Sequence, residues 1–159
     1  MPDAKDVQIQ KLQNQITNMQ AQLQQRDHTA KLFYIYSFDT VVTAGATATD
    51  SINIEADSDF ILTKLSYFAT DNAGTAQTYN TRIVPLVTLN LRDTASGRNL
   101  FDREQPIPNL FGSGEIPFIL PLKQTLRANS TIRASFTSLE AANDNRIFLS
   151  LIGFKNYAY

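Results

Sequence analysis

Ile9, Leu12, Ile16, Met19 and Leu23 recur at alternating spacings of three and four, and Gln8, Gln13, Gln15, Gln20 and Gln22 flank them. Placing Ile9, Ile16 and Leu23 at heptad position a, with Leu12 and Met19 at d, makes residues 7–25 nearly three heptads. A stripe of about two positions in seven is narrower than the apolar face of a helix that lies on its own domain. The pattern therefore predicts an N-terminal coiled-coil helix whose seam meets another helix.

After a polar link from Asp27 to Lys31 the period changes. Leu32, Phe33, Tyr34, Ile35, Tyr36 and Phe38 form a dense aromatic and β-branched run, the first predicted strand. Ser51–Glu55 alternates as a half-buried strand does, and Asp57-Ser58-Asp59 has turn chemistry. Phe60–Phe68 alternates with apolar residues on both faces, which suits a strand inside a sandwich. Ile83–Arg92 places Val87, Leu89 and Leu91 on one side, with Pro85 marking an edge or a bulge. Thr94-Ala95-Ser96-Gly97 reads as a hairpin turn before Asn99-Leu100-Phe101. Ser130–Phe136 and Arg146–Phe154 complete the strands.

Between them, residues 102–121 hold Pro106, Pro108, Pro117, Pro121 and the Gly112-Ser113-Gly114 run. This long connection is expected to be ordered by apolar anchors at Ile107, Leu110, Phe111, Phe118, Ile119 and Leu120. Seven or eight strands and no second helix predict a mainly β protein. The expected architecture is a jelly-roll-like antiparallel β-sandwich over residues 29–159, preceded by a helical domain over residues 1–28. The roughly 130 residues after the helix are enough to bury a core without staples.

Neutral glutamines beside the seam repel no register, so identical copies can associate, and a homo-oligomer is the simplest outcome. Ile at a with Leu at d leans toward a dimer, whereas Met19 and Leu23 blur that preference and rods ending in β domains favour a trimer over a dimer. A helix of this length is marginal alone in water, so association is expected to depend on the domain that follows.

A formal charge of −1 and a pI near 5.7 remove the basic footprint that nucleic acid or an anionic membrane would require. The absence of cysteine excludes disulfides, thiolate catalysis and cysteine-based zinc sites. The polar N-terminus lacks the apolar core of a secretory signal, so the product is expected to begin as a cytosolic, soluble chain.

Few residues offer chemistry. His28, the single histidine, stands in the link beside Asp27, where a catalytic base would have neither pocket nor nucleophile. The carboxylates Asp57, Asp59, Asp102, Glu104 and Glu115 fall in turn-like segments that explain them by turn preference and solvation. Asp57-Ser58-Asp59 and Asn143-Asp144-Asn145 lack calcium-loop spacing. Gly112-Ser113-Gly114 lacks the Lys-Ser/Thr of a phosphate loop, and its glycines instead permit tight bends. Tyr79, Tyr157 and Tyr159 could stack on sugars, with a subunit interface the favoured use. No catalytic residue, cofactor or metal site is expected, and an enzyme is not expected.

One set of segments is similar to a known group of proteins. These are Leu89-Asn90-Leu91-Arg92-Asp93 through Gly97-Arg98; Pro106-Ile107-Pro108-Asn109-Leu110-Phe111-Gly112; Pro117-Phe118-Ile119-Leu120-Pro121; Ala128-Asn129-Ser130-Thr131; and Phe148-Leu149-Ser150-Leu151-Ile152-Gly153-Phe154-Lys155. Over about the last 75 residues the chain resembles small virion structural proteins of tailed bacteriophages, which decorate or cement the head. The resemblance implies a β-sandwich subunit on the capsid surface of the virion, made in the host cytoplasm, with the major capsid protein as partner. The N-terminal rod is a departure from it.

In that setting Ile9, Leu12, Ile16, Met19 and Leu23 would carry self-association, and Leu110, Phe111 and Phe118 are candidates for capsid or partner contact. The alternative is a receptor- or glycan-binding fibre or spike module presented on a coiled coil.

Overall fold

The structure, a computed structural model, describes residues 4–26, 29–71 and 83–158. Asp27, His28, Tyr79 and Tyr159 lie outside the described residues. Helix α1 spans Ala4–Arg26, as the heptad pattern predicts. No helix among the described residues is long and apolar enough to cross a membrane.

The strands are β1 (Thr29–Val42), β2 (Thr47–Asn53), β3 (Asp59–Asp71), β4 (Val87–Asp93), β5 (Arg98–Asn99), β6 (Gln105–Pro106), β7 (Phe118–Leu126), β8 (Thr131–Ser138) and β9 (Asn145–Ala158). They form two antiparallel sheets, a β-sandwich. The first has the order β1-β9-β3-β7, and the second β2-β8-β4-β5 with β6 also on β4. Successive long strands thus alternate between the sheets. Phe38, Phe60, Leu62, Leu89, Leu91, Ile132, Phe136, Ile147 and Leu149 are fully buried between them.

The β3 pattern differs from strict alternation. Its register against β9 shifts between Leu62 and Lys64, so Phe60 and Leu62 point inward before the shift, and Leu65, Tyr67 and Ala69 after it. One extra residue in a strand flips every later side chain to the other face. Gly153, opposite Leu62, is required there, since a Cβ would lie 2.0 Å from the Ile61 carbonyl oxygen.

Three sequence expectations need correction. The connection over 102–121 contains a second helix, α2 (Ile107–Leu110), one turn long, which hands the Ile107 and Phe111 side chains to the core. It also ends in β7, which the pattern missed. Nearly every β7 residue is exposed or half-buried, so no alternation marks it, and an edge strand tolerates Pro121. Finally, β4 begins only at Val87, because residues 83–86 around Pro85 are irregular.

Gly112 is the glycine this connection cannot exchange. A Cβ would meet the Ile116 carbonyl oxygen at 2.0 Å, whereas Gly114 faces open space.

Candidate functional site

The rod seam stands in solvent. Ile9, Leu12, Ile16 and Met19 are each 50–57% exposed in the single chain, on a helix that presents them along one side. The side chain of Leu23 is outside the described set. An apolar row this exposed over more than two helical turns gains free energy only when something covers it.

Register fixes which loops share the rod's end of the sandwich. Thr29 opens β1 opposite Ala158, and Asp59 opens β3 opposite Asn156, so the β2–β3 and β7–β8 loops lie at the end where the rod joins. Val42 and Asp71 both pair with Asn145 at the far end.

At the rod end, inward alternation along β9 runs Ile147, Leu149, Leu151, Gly153 and then Lys155. Lys155 is fully buried. Its ammonium lies 4.3 Å from the Tyr34 ring centroid and 5.9 Å from those of Tyr36 and Tyr157. It donates to Glu55 Oε2 and, at 3.0 and 3.2 Å, to both Asp57 oxygens. The Tyr157 hydroxyl donates to Asp57 at 2.9 Å, that of Tyr34 to Glu55 at 3.2 Å, and Tyr36 Oη accepts from the Glu55 amide at 3.1 Å.

Burial alone would lower the Lys155 pKa, but the hydrogen bonds to Glu55 and Asp57 override it and hold it above the ordinary lysine value. The hydrogen bond from Lys155 keeps Asp57 below the usual carboxylate range, and the bond to Asp57 pushes the Tyr157 phenol up. A fully protonated lysine in a carboxylate and aromatic cage is a poor nucleophile or base. It acts as a pin that fastens the β2–β3 loop to the end of β9.

Three further carboxylates have structural partners. Asp59 accepts from the Ala128 amide at 2.8 Å, Asp93 from the Ala95 amide and Ser96, and Glu104 from Thr88 and Thr137. Asp57 and Asp59 thus turn to different partners. Among the described residues no cluster of three or more His, Asp or Glu could hold a metal. A polar groove of about 850 Å³ runs between Asp93–Leu100 and Gln124–Arg127.

Of the contact candidates, Phe111 is 2% exposed and sits in the core, so it is unavailable to a partner in this fold. The reason is local: helix α2 ends at Leu110, and the Phe111 amide bonds back to the Ile107 carbonyl, turning the ring inward. Leu110 is half-buried against the same core, and Phe118 is 39% exposed. The far end carries a patch that sequence reasoning passed over. Val84, Leu86 and Leu139 are 71%, 57% and 63% exposed, and the Leu139 amide bonds to the Leu86 carbonyl at 2.8 Å. The sequence signal was Pro85, which takes Val84 and Leu86 out of the strand.

No known family matches the chain, and no curated protein does. Among solved structures, dimeric latent PorU from Porphyromonas gingivalis aligns at 11% identity and a TM-score of 0.40, covering 82% of this chain and 13% of that one. The VP2 subviral particle of infectious bursal disease virus aligns at 11% identity and 0.33, covering 83% and 38%. The Gx strain of that virus aligns at 14% identity and 0.33, covering 82% and 32%. Likenesses this distant, each spanning well under half of the other chain, carry no functional argument.

Proposed function

We propose that the chain is a non-enzymatic virion structural protein, of the kind that decorates or cements the heads of tailed bacteriophages, acting as a homo-oligomer with trimer favoured over dimer. The observation that carries this reading is the division of labour between two ends. The apolar helix seam that needs a partner joins one end, and the exposed apolar tip of Val84, Leu86 and Leu139 occupies the other. A jelly roll, built from two Greek keys, is supported by the alternation of strands between sheets in the orders β1-β9-β3-β7 and β2-β8-β4-β5.

In this reading the seam residues form a coiled coil. Joining several sandwiches lets one assembly contact several major capsid proteins, so weak tip contacts add through effective concentration. The test is binding to purified heads beside light-scattering mass. Leu86→Asp with Leu139→Asp should leave the oligomer intact and abolish binding; binding at the wild-type level would refute the tip as the contact.

A receptor- or glycan-binding spike is the second reading, favoured by the polar groove beside Asp93, Ser96, Arg98 and Gln124. It predicts that the isolated oligomer binds cells or glycans without heads, and that Arg98→Ala removes this binding.

A further inference from the structure

The outer faces of the two sheets differ in kind. On the second sheet the cross-strand rows are Thr47–Thr137–Thr88, Thr49–Ser135–Asn90 and Ser51–Arg133–Arg92, all polar, as a solvated face should be. On the first sheet they are Phe33–Phe154–Ile61 and Ile35–Ile152–Lys64–Ile119, followed by Ser37–Ser150–Ser66. Phe33 is 72% exposed, and Ile35 and Ile119 are exposed too. The apolar rows lie at the rod end, where β1 forms the open edge of its sheet. There Leu32 and Phe33 expose apolar groups on both sides of the strand.

We propose that this face is an interface between copies of this chain, continuous with the rod; the inference rests on the homo-oligomer reading above. The occupant follows from tethering. Only residues 27 and 28 separate the last helical residue from the first of β1, a reach of no more than about 11 Å at full extension. Helices gathered along their seams therefore hold the β1 edges of the copies close together, with the Phe33 row four residues into the strand, at a raised effective concentration for one another.

Charge decides the arrangement. Lys31 and Lys123 sit 5.6 and 5.7 Å from the Phe154 ring centroid, and Lys64 lies in the Ile35 row. A twofold face-to-face contact would set these lysines against one another. The same end carries Glu55 and Asp57, half exposed, whose two carboxylates exceed the single charge of their partner Lys155 by one. A ring that sets the face of one copy against the loop end of the next pairs opposite signs, and such heterologous contacts close into cyclic assemblies.

The chain has no cysteine, so a single thiol reports on this face. Full-length Phe33→Cys is compared with full-length Ser51→Cys, an exposed position on the polar sheet, by iodoacetamide alkylation, with light-scattering mass measured in parallel. The expected result is at least tenfold slower alkylation of Phe33→Cys in the oligomer, with the rates converging on dilution to monomer. Ile35→Cys reads the same face should Phe33→Cys itself lower the mass, an outcome that also supports the interface. Equal rates in a confirmed oligomer overturn the interface and leave the rod standing. Protection that appears only when purified heads are added assigns the face to the capsid protein and overturns it as well. A wild-type chain monomeric at every concentration overturns the oligomer reading and this interface together.

Discussion

The two sheets share one core yet meet the outside on opposite terms. One turns Thr, Ser, Asn and Arg outward, and the other turns Phe and Ile outward toward the rod end, before the row of Ser37, Ser150 and Ser66. Both alternate, so alternation alone says that a residue leaves the core, not that it meets water. The difference teaches that the first sheet, toward the rod end, leaves apolar rows outside its own sandwich, the rows that the proposed interface would cover.

The sharpest way to break this comparison is to remove the rod's contribution. Ile16→Asp places a charge in the seam and is expected to weaken self-association at least a hundredfold, given the penalty of burying an unpaired carboxylate. Binding of a hydrophobic dye should rise as the first sheet is uncovered. An unchanged mass in light scattering would refute the coiled coil.

Next in size is Lys155→Ala, which empties a fully buried position in the tyrosine cage at the rod end. By analogy with other large-to-small changes it should destabilise the fold by about 2–4 kcal/mol in denaturant unfolding. Lys155→Met retains the volume and isolates the charge. In the wild type the folded-state pKa of Asp57 is depressed by Lys155, so its contribution to stability is present above the unfolded value of about 3.9. That contribution is lost as pH falls through the lower folded value. Melting temperatures from pH 5 to 2 should therefore fall more steeply in the wild type than in Lys155→Met; parallel slopes would show that Asp57 draws nothing from Lys155. At the alkaline end the raised Lys155 pKa keeps its contribution intact below the ordinary lysine value, and it is lost as pH rises through the folded one.

A matched pair sharpens the comparison further. Phe33→Ser should weaken the oligomer about tenfold while the unfolding free energy of its monomer stays within about 0.5 kcal/mol of wild type. Thr49→Ser on the other sheet should change neither. Equal effects on assembly would erase the distinction between the faces.

The smallest effect belongs to Asp39 and Arg146, which form a bidentate pair at 2.9 and 2.7 Å on the first sheet's outer face. Arg146 also lies 4.9 Å from the Phe148 ring centroid. Both side chains are nearly half exposed, so Asp39→Asn should lose less than about 1 kcal/mol. A larger loss would mean that the assembly covers this part of the face too.

Periodicity by itself determined a good deal of this protein. The three-and-four spacing of Ile9 to Leu23 marked the helix, alternation marked parts of β2, β3 and β4, and a dense aromatic and β-branched run marked β1, because these patterns follow from backbone geometry and side-chain preference that each segment carries locally. Only the tertiary structure decided the rest. The bulge near Thr63 reverses which β3 residues face the core, and beside it Gly153 on another strand admits the Ile61 carbonyl where a side chain would collide with it. Phe111, apolar in a proline-rich stretch, could have served a partner or the core. The turn made by Ile107–Leu110 sent it inward. Lys155 stood at an inward position of its strand, yet its partners Glu55 and Asp57 are about 100 residues away in sequence. That the apolar residues of Phe33 and Ile35 lie beside Phe154 and Ile152 on one open face is likewise a matter of strand pairing, a long-range choice that no single segment of sequence contains.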